Sequence, residues 1–143
     1  MVGFIITGHG SFALGLMSAV DMIVGEQECI DVITFMEDEA SSFSERLKSA
    51  VGDMLVKTEE VVIFCDLLGG TPFNQSMILS ADSKDVRVVT GANLPMLIEC
   101  ISSRTSDMCA QDIVDIALDM GRAGIDSKVL VVDEDVDIAE DGI

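Results

Sequence analysis

Short apolar runs alternate along this chain with longer stretches in which apolar residues recur every three or four positions. Val2-Gly3-Phe4-Ile5-Ile6-Thr7 reads as a strand, cut off by Gly8-His9-Gly10. From Ser11 the spacing turns helical, with Phe12, Leu16, Val20 and Ile23 on one face and Gly25 as the stop. Ile30 to Phe35 reads as a second strand. Ser42 followed by Glu45 has the form of a capping box, opening a helix that carries Phe43, Leu47, Val51 and Leu55 on one side. Val61-Val62-Ile63-Phe64-Cys65 is apolar without a break, the mark of a strand covered on both faces.

That third strand ends in Asp66-Leu67-Leu68-Gly69-Gly70-Thr71-Pro72, and Pro72 suits the first turn of the next helix, where its missing N–H costs nothing. Val86 to Thr90 reads as a fourth strand. Asn93-Leu94-Pro95 starts a helix running to about 102, with Asn93 as its N-cap, and a last helix spans about 110–122 with Ile113, Ala117 and Met120 in register. Lys128-Val129-Leu130-Val131-Val132 reads as a fifth strand, followed by an acidic tail over 133–143. Met17, Met22, Met54, Met77, Met96 and Met120 fall among apolar neighbours and are expected in the core. Strands interleaved with helices imply an α/β fold: a single doubly wound domain over 1–132, with a mostly parallel five-stranded sheet and helices on both faces.

Composition narrows the function. The 143 residues suffice for one domain with a real core. With 26 Asp and Glu against 8 Lys and Arg, the net charge of −18 repels a phosphate backbone and argues against nucleic-acid binding. Cys29, Cys65, Cys100 and Cys109 are dispersed with no C-x-x-C pair, which fits free thiols in a reducing cytoplasm. No Lys or Arg precedes Arg46, and glycines and His9 interrupt the apolar N-terminus, so neither a leader peptide nor a membrane insertion is expected.

His9 is the single histidine of the chain. A lone histidine is more often structural than chemical, but one held between glycines at a strand end sits at a tight turn rather than on a packed face. If the first and third strands are neighbours and the chain leaves them toward opposite sides of the sheet, a crevice opens between their carboxyl ends. His9 then meets Asp66. A carboxylate that fixes one ring nitrogen leaves the other as a nucleophile. Gly69-Gly70-Thr71 feed a helix whose unpaired N–H groups suit an anion. Asp66 as a simple turn cap and the glycines as ordinary turn residues are the plainer alternatives. There is no G-x-x-x-x-G-K-[ST], no G-x-G-x-x-G opening the first helix and no G-x-S-x-G, and one histidine with scattered cysteines argues against a metal site. The residues together suggest a phosphohistidine site that needs no cofactor.

Gly8 to Leu16 (G-H-G-S-F-A-L-G-L), Asp66 to Asn74 (D-L-L-G-G-T-P-F-N) and Gly91 to Leu97 (G-A-N-L-P-M-L) resemble the enzyme IIA domain of the mannose-type phosphotransferase system. Gly25-Glu26-Gln27 and Gly121-Arg122 extend the resemblance to about residue 125. It implies a cytoplasmic phosphocarrier for sugar uptake. His9 takes a phosphoryl group from HPr on the ring nitrogen facing away from Asp66, and passes it to a histidine of enzyme IIB. Gly70 and Thr71 match the segment that binds the phosphoryl group. The resemblance also implies a homodimer in which the last strand is antiparallel and exchanged; with no linker or IIB domain in the sequence, a free-standing IIA subunit is expected. Two other functions share these residues: the phosphodonor subunit of a dihydroxyacetone kinase, and a silent α/β binding module.

Overall fold

The computed structural model describes residues 1–132. Four strands, β1 (Gly3–His9), β2 (Ile30–Phe35), β3 (Val61–Cys65) and β4 (Val86–Thr90), form one sheet in the order β2-β1-β3-β4, with every pairing parallel. Five helices connect and follow them: α1 (Phe12–Val24), α2 (Phe43–Thr58), α3 (Thr71–Asp82), α4 (Leu94–Ser103) and α5 (Ala110–Ala123). The α/β doubly wound reading holds for these elements.

The two central strands explain the layering. β1 and β3 are buried along almost their whole length, so each alternate side chain needs its own apolar layer. Phe4, Ile6, Val62 and Phe64 pack on one face against α1, α4 and α5, through Met17, Val20, Leu97, Cys100 and Ile113. Ile5, Val61, Ile63 and Cys65 pack on the other against Phe43, Leu47, Val51 and Met54 of α2. Each large side chain removed from water this way contributes about 1.5–3 kcal/mol. Helix α1 therefore leaves β1 toward one face and α3 leaves β3 toward the other. Their divergence opens a crevice at the carboxyl ends of β1 and β3.

Asn93 caps α4, its side chain accepting from the Met96 amide at 3.1 Å, and Gly25 ends α1 with φ +76°. The capping box expected at Ser42 and Glu45 does not form. A 3-10 turn over Glu37–Glu39 feeds straight into α2, so Ser42 already has near-helical backbone and its Oγ donates to the Glu39 carbonyl instead. A capping box occurs at the start of α5, where the Cys109 amide donates to Asp112. Met17, Met54 and Met96 are buried, but Met22 and Met77 face outward on their helices, 88% and 42% exposed.

The sheet has four strands among the described residues, not the expected five: Lys128-Val129-Leu130-Val131-Val132 has no strand pairing there. An apolar run becomes a strand where an edge and a covering layer meet it. Here the run lies on neither sheet edge among the described residues, and Val129 to Val132 are 64–87% exposed. The acidic tail over 133–143 lies outside the described residues.

Candidate functional site

The site is built where β1 and β3 end side by side. Thr7 pairs with Cys65, so Gly8 lies level with Asp66 and His9 projects one step beyond. Gly8 makes this juxtaposition sterically feasible. A Cβ there would stand 2.8 Å from Asp66 Cγ and 2.7 Å from Phe12 Cδ1, closer than real Cβ atoms come. With that space open, Asp66 Oδ2 accepts two hydrogen bonds from His9, from the backbone amide at 2.8 Å and from Nδ1 at 2.9 Å. Gly10, at φ +58°, turns the chain away and donates its amide to the Phe35 carbonyl at 2.9 Å.

The carboxylate decides the chemistry of the ring. Partial burial pushes the Asp66 pKa up, but the hydrogen bonds from the His9 amide and ring, with the attraction of the ring's charge, outweigh it. The pKa ends below the usual carboxylate value. Asp66 is therefore ionised near neutral pH and only accepts. Nδ1 must carry the proton shared with it, so whenever the ring is neutral its lone pair is on Nε2. The His9 side chain is 44% exposed while Asp66 is only 15% exposed, so the carboxylate is sheltered and the imidazole is accessible.

Two further groups hold the imidazole. The Phe35 ring meets it edge to face at a centroid distance of 5.6 Å. Gly70 lies along its outer edge, where a Cβ would come within 2.6 Å of Cε1 and 3.3 Å of Nε2. The turn carrying Gly70 is closed by its own hydrogen bonds. The Gly70 amide donates to the Leu67 carbonyl at 3.2 Å, and Asn74 Nδ2 donates to the Gly69 carbonyl at 3.1 Å. Gly69 has φ +79°, a conformation that favours glycine. Gly70 is the extended N-cap of α3, Thr71 opens the helix, and Pro72 follows in its first turn. Amides at a helix start have no partner inside the helix and aim outward, with the positive end of its dipole. Beside His9 runs a groove of about 410 Å³ lined by Gly10, Phe35, Met36, Glu37 and Ala40. No group of three or more His, Cys, Asp or Glu among the described residues is arranged to hold a metal ion.

His9, Asp66 and Gly70, all expected from the sequence, meet within hydrogen-bonding or van der Waals range, and Thr71 sits one residue further on the same loop. Gly8, Phe35 and Asn74 also build the site. Gly8 was legible as a glycine beside the lone histidine, but nothing in the sequence marks Phe35, which depends on β1 and β2 being neighbours.

What the fold and the site define together is an open α/β domain with an imidazole–carboxylate pair at its switch point and a helix start beside it. The chain belongs to the mannose-type enzyme IIA family of the sugar phosphotransferase system: the family model described as "PTS system fructose IIA component" (EIIA-man) matches residues 3–118. It is 31% identical over 125 residues to the PTS system mannose-specific EIIAB component of Escherichia coli K12, covering 87% of this chain and 38% of that protein. The chain thus spans under two fifths of that relative's length. It is 34% identical over 111 residues to the sorbose-specific EIIA component of Lacticaseibacillus casei, covering 77% of this chain and 78% of that one. Among solved structures, the phosphotransferase system component EIIA from Streptococcus agalactiae superposes with a TM-score of 0.79 at 35% identity, covering 89% of this chain and 97% of that chain.

No helix among the described residues is long and apolar enough to cross a membrane. All four cysteines are free, with Cys65 and Cys100 buried.

Proposed function

We propose that the protein is a phosphocarrier in which His9 Nε2 takes a phosphoryl group from phospho-HPr and passes it to a histidine of an enzyme IIB. The observation that carries this reading is the doubly hydrogen-bonded, ionised Asp66, which keeps the proton on Nδ1 and the lone pair on an exposed Nε2. In the transfer, Nε2 forms a bond to phosphorus while the P–N bond to HPr breaks, its electron pair returning to the donor imidazole. The His9 ring, with both nitrogens then substituted, carries positive charge that Asp66 offsets. Phosphoryl transfer asks mainly for positioning and charge stabilisation, and the Thr71 amide and hydroxyl, reached past the open Gly70 position, are neutral donors suited to a group that must be released again.

In this reading residues 1–132 form the enzyme IIA domain and 133–143 an acidic extension. The dispersed free thiols and the HPr partner fit a cytoplasmic location. The exposed Val129-Leu130-Val131-Val132 run is the natural candidate for pairing antiparallel with a second copy's sheet edge.

The test is reconstitution with phosphoenolpyruvate, enzyme I and HPr. The protein is expected to acquire an acid-labile, base-stable phosphate that chases onto an enzyme IIB, and His9→Ala to acquire none. Equal labelling of His9→Ala would overturn the assignment.

A further inference from the structure

Asp66 fixes one nitrogen of the His9 imidazole, and Gly70 closes against the outer edge. The remaining face of the ring is held by Phe35. Phe35 is the last residue of β2, pairs with His9 across the strands, and stands edge to face with the buried Phe43 at 4.9 Å as well as with the imidazole.

What keeps this edge-strand residue in place is a polar brace in the segment that follows it. Arg46 of α2 donates through Nη2 to the Thr34 carbonyl at 2.8 Å and to Glu39 Oε2 at 3.2 Å. Thr34 Oγ1 donates to the same Glu39 oxygen at 3.0 Å. The Arg46 guanidinium also lies 5.9 Å from the centre of the Phe43 ring. The three side chains close a ring around the turn from β2 to α2, on both sides of Phe35. The brace sits on partly buried groups, with the Arg46 side chain 34% and Glu39 40% exposed, where an ion pair is less screened than at an open surface.

We propose that Phe35 is a positioning residue for the His9 imidazole, and that the Thr34–Glu39–Arg46 brace acts on the histidine through it. Phe35 supplies the third constraint on the ring, stopping rotation about the contact with Asp66 that would swing Nε2 away from Gly70 and the start of α3. The brace holds the β2–α2 turn so that the phenyl ring does not follow solvent outward. Neither Phe35 nor Arg46 touches the transferred group. Their effect therefore falls on the transfer step and not on the encounter with a donor.

The rate part of this inference rests on His9 being the phosphoryl carrier, while the ring-orientation part does not. Two measurements separate them. The first is NMR of the imidazole protons and nitrogens in Phe35→Leu and Arg46→Met, with Phe35→Tyr as the conservative control. Both disruptive variants are expected to move the His9 ring-proton resonances, since the aromatic face beside them is lost or displaced, and Phe35→Tyr is expected to restore them. The second is transfer from phospho-HPr, where Phe35→Leu is expected to lower kcat about tenfold with KM little changed, Arg46→Met to lower it less, and the double variant to fall no further than Phe35→Leu alone. Unmoved His9 resonances, or a kcat within twofold of the parent in Phe35→Leu, would overturn the proposal. Additive losses in the double variant would overturn the link between brace and ring. Moved resonances in a protein that accepts no phosphate would sustain the positioning role and overturn the carrier reading alone. If Phe35→Leu fails to fold, Arg46→Met and Phe35→Tyr carry the same comparisons.

Discussion

Gly70→Ala isolates the approach of the glycine loop to the imidazole. Gly70 has φ −70° and ψ 164°, a conformation that alanine adopts without strain, so the backbone has no reason to object. The new methyl group, however, would stand 2.6 Å from His9 Cε1, and ordinary contact begins at about 3.4 Å. Ring and loop must separate by about 0.8 Å. If the whole displacement falls on the Nδ1–Asp66 hydrogen bond, its 2.9 Å grows to about 3.7 Å, beyond hydrogen-bonding range. If it falls on the other side, the ring presses on Phe35. A misplacement near 1 Å costs about 100-fold in rate, which is about 2.7 kcal/mol of barrier. Stability should respond differently: a glycine-to-alanine change at a compatible site gains about 0.4–1 kcal/mol through the unfolded state, which offsets part of the clash. The expected result is transfer from phospho-HPr reduced about 100-fold in a protein with a nearly unchanged urea midpoint. Gly69→Ala is the counterpart. It has open space around its Cβ but φ +79°, so it should lose about 1–2 kcal/mol of stability with a smaller loss of transfer. Transfer by Gly70→Ala within threefold of the parent would refute the reasoning, because the ring would then have room that the geometry denies it.

The Asp66 pKa is lower folded than unfolded, so its contribution to stability is fully present above the ordinary carboxylate value of 3.8 and is lost as pH falls through the folded value. Asp66→Asn should therefore unfold more easily than the parent at pH 7 in urea, with the gap closing as pH drops below 4; a gap that stays constant across that range would remove the linkage. For the assembly, Val129→Lys combined with Val131→Lys places charge on two residues that are 87% and 78% exposed in the single chain. Sedimentation velocity should show the parent as a dimer and this variant as a monomer, and identical sedimentation would rule out the apolar run as the dimer contact.

How much of this was legible in the sequence depended on whether the determining contact was local. β3 announced itself because five consecutive apolar residues have few other places to go, and α4 because Asn93 and Pro95 supply cap and first turn within three residues. Ser42 misled because a capping box depends on extended backbone at the cap, and the 3-10 turn before it removes that. Lys128 to Val132 is a different case: the run reports that the segment favours burial, not which molecule provides it. At the site, His9, Asp66, Gly70 and Thr71 stand out by type and by their place after strands. Phe35 does not, because a phenylalanine ending a strand is ordinary until the parallel register sets it opposite His9. The Arg46 brace joins residues up to 12 apart through one carbonyl and one carboxylate, and no spacing rule marks it.

The charge of the site follows the same logic of transience. A group that must arrive and leave within one catalytic cycle is poorly served by a fixed cation, which would deepen the bound state along with the transition state. The groove beside His9 is lined by no lysine or arginine, and two of the arginines nearest the sheet are spent on the chain itself: Arg46 on Thr34 and Glu39, Arg104 on the carbonyls of Val2, Glu28 and Cys29. What the site offers instead is directional and neutral, the amides at the start of α3 and a hydroxyl. The charge in contact with the imidazole, on Asp66, faces it from behind, and the groove adds only the carboxylate of Glu37. In a chain of net charge −18, a donor or acceptor that brings its own positive charge to this edge then meets favourable electrostatics on approach and supplies the cationic stabilisation only while docked. Under the carrier reading, that arrangement ties the speed of transfer to the presence of the partner, and it leaves the phosphorylated protein between encounters with a group held by position rather than by charge.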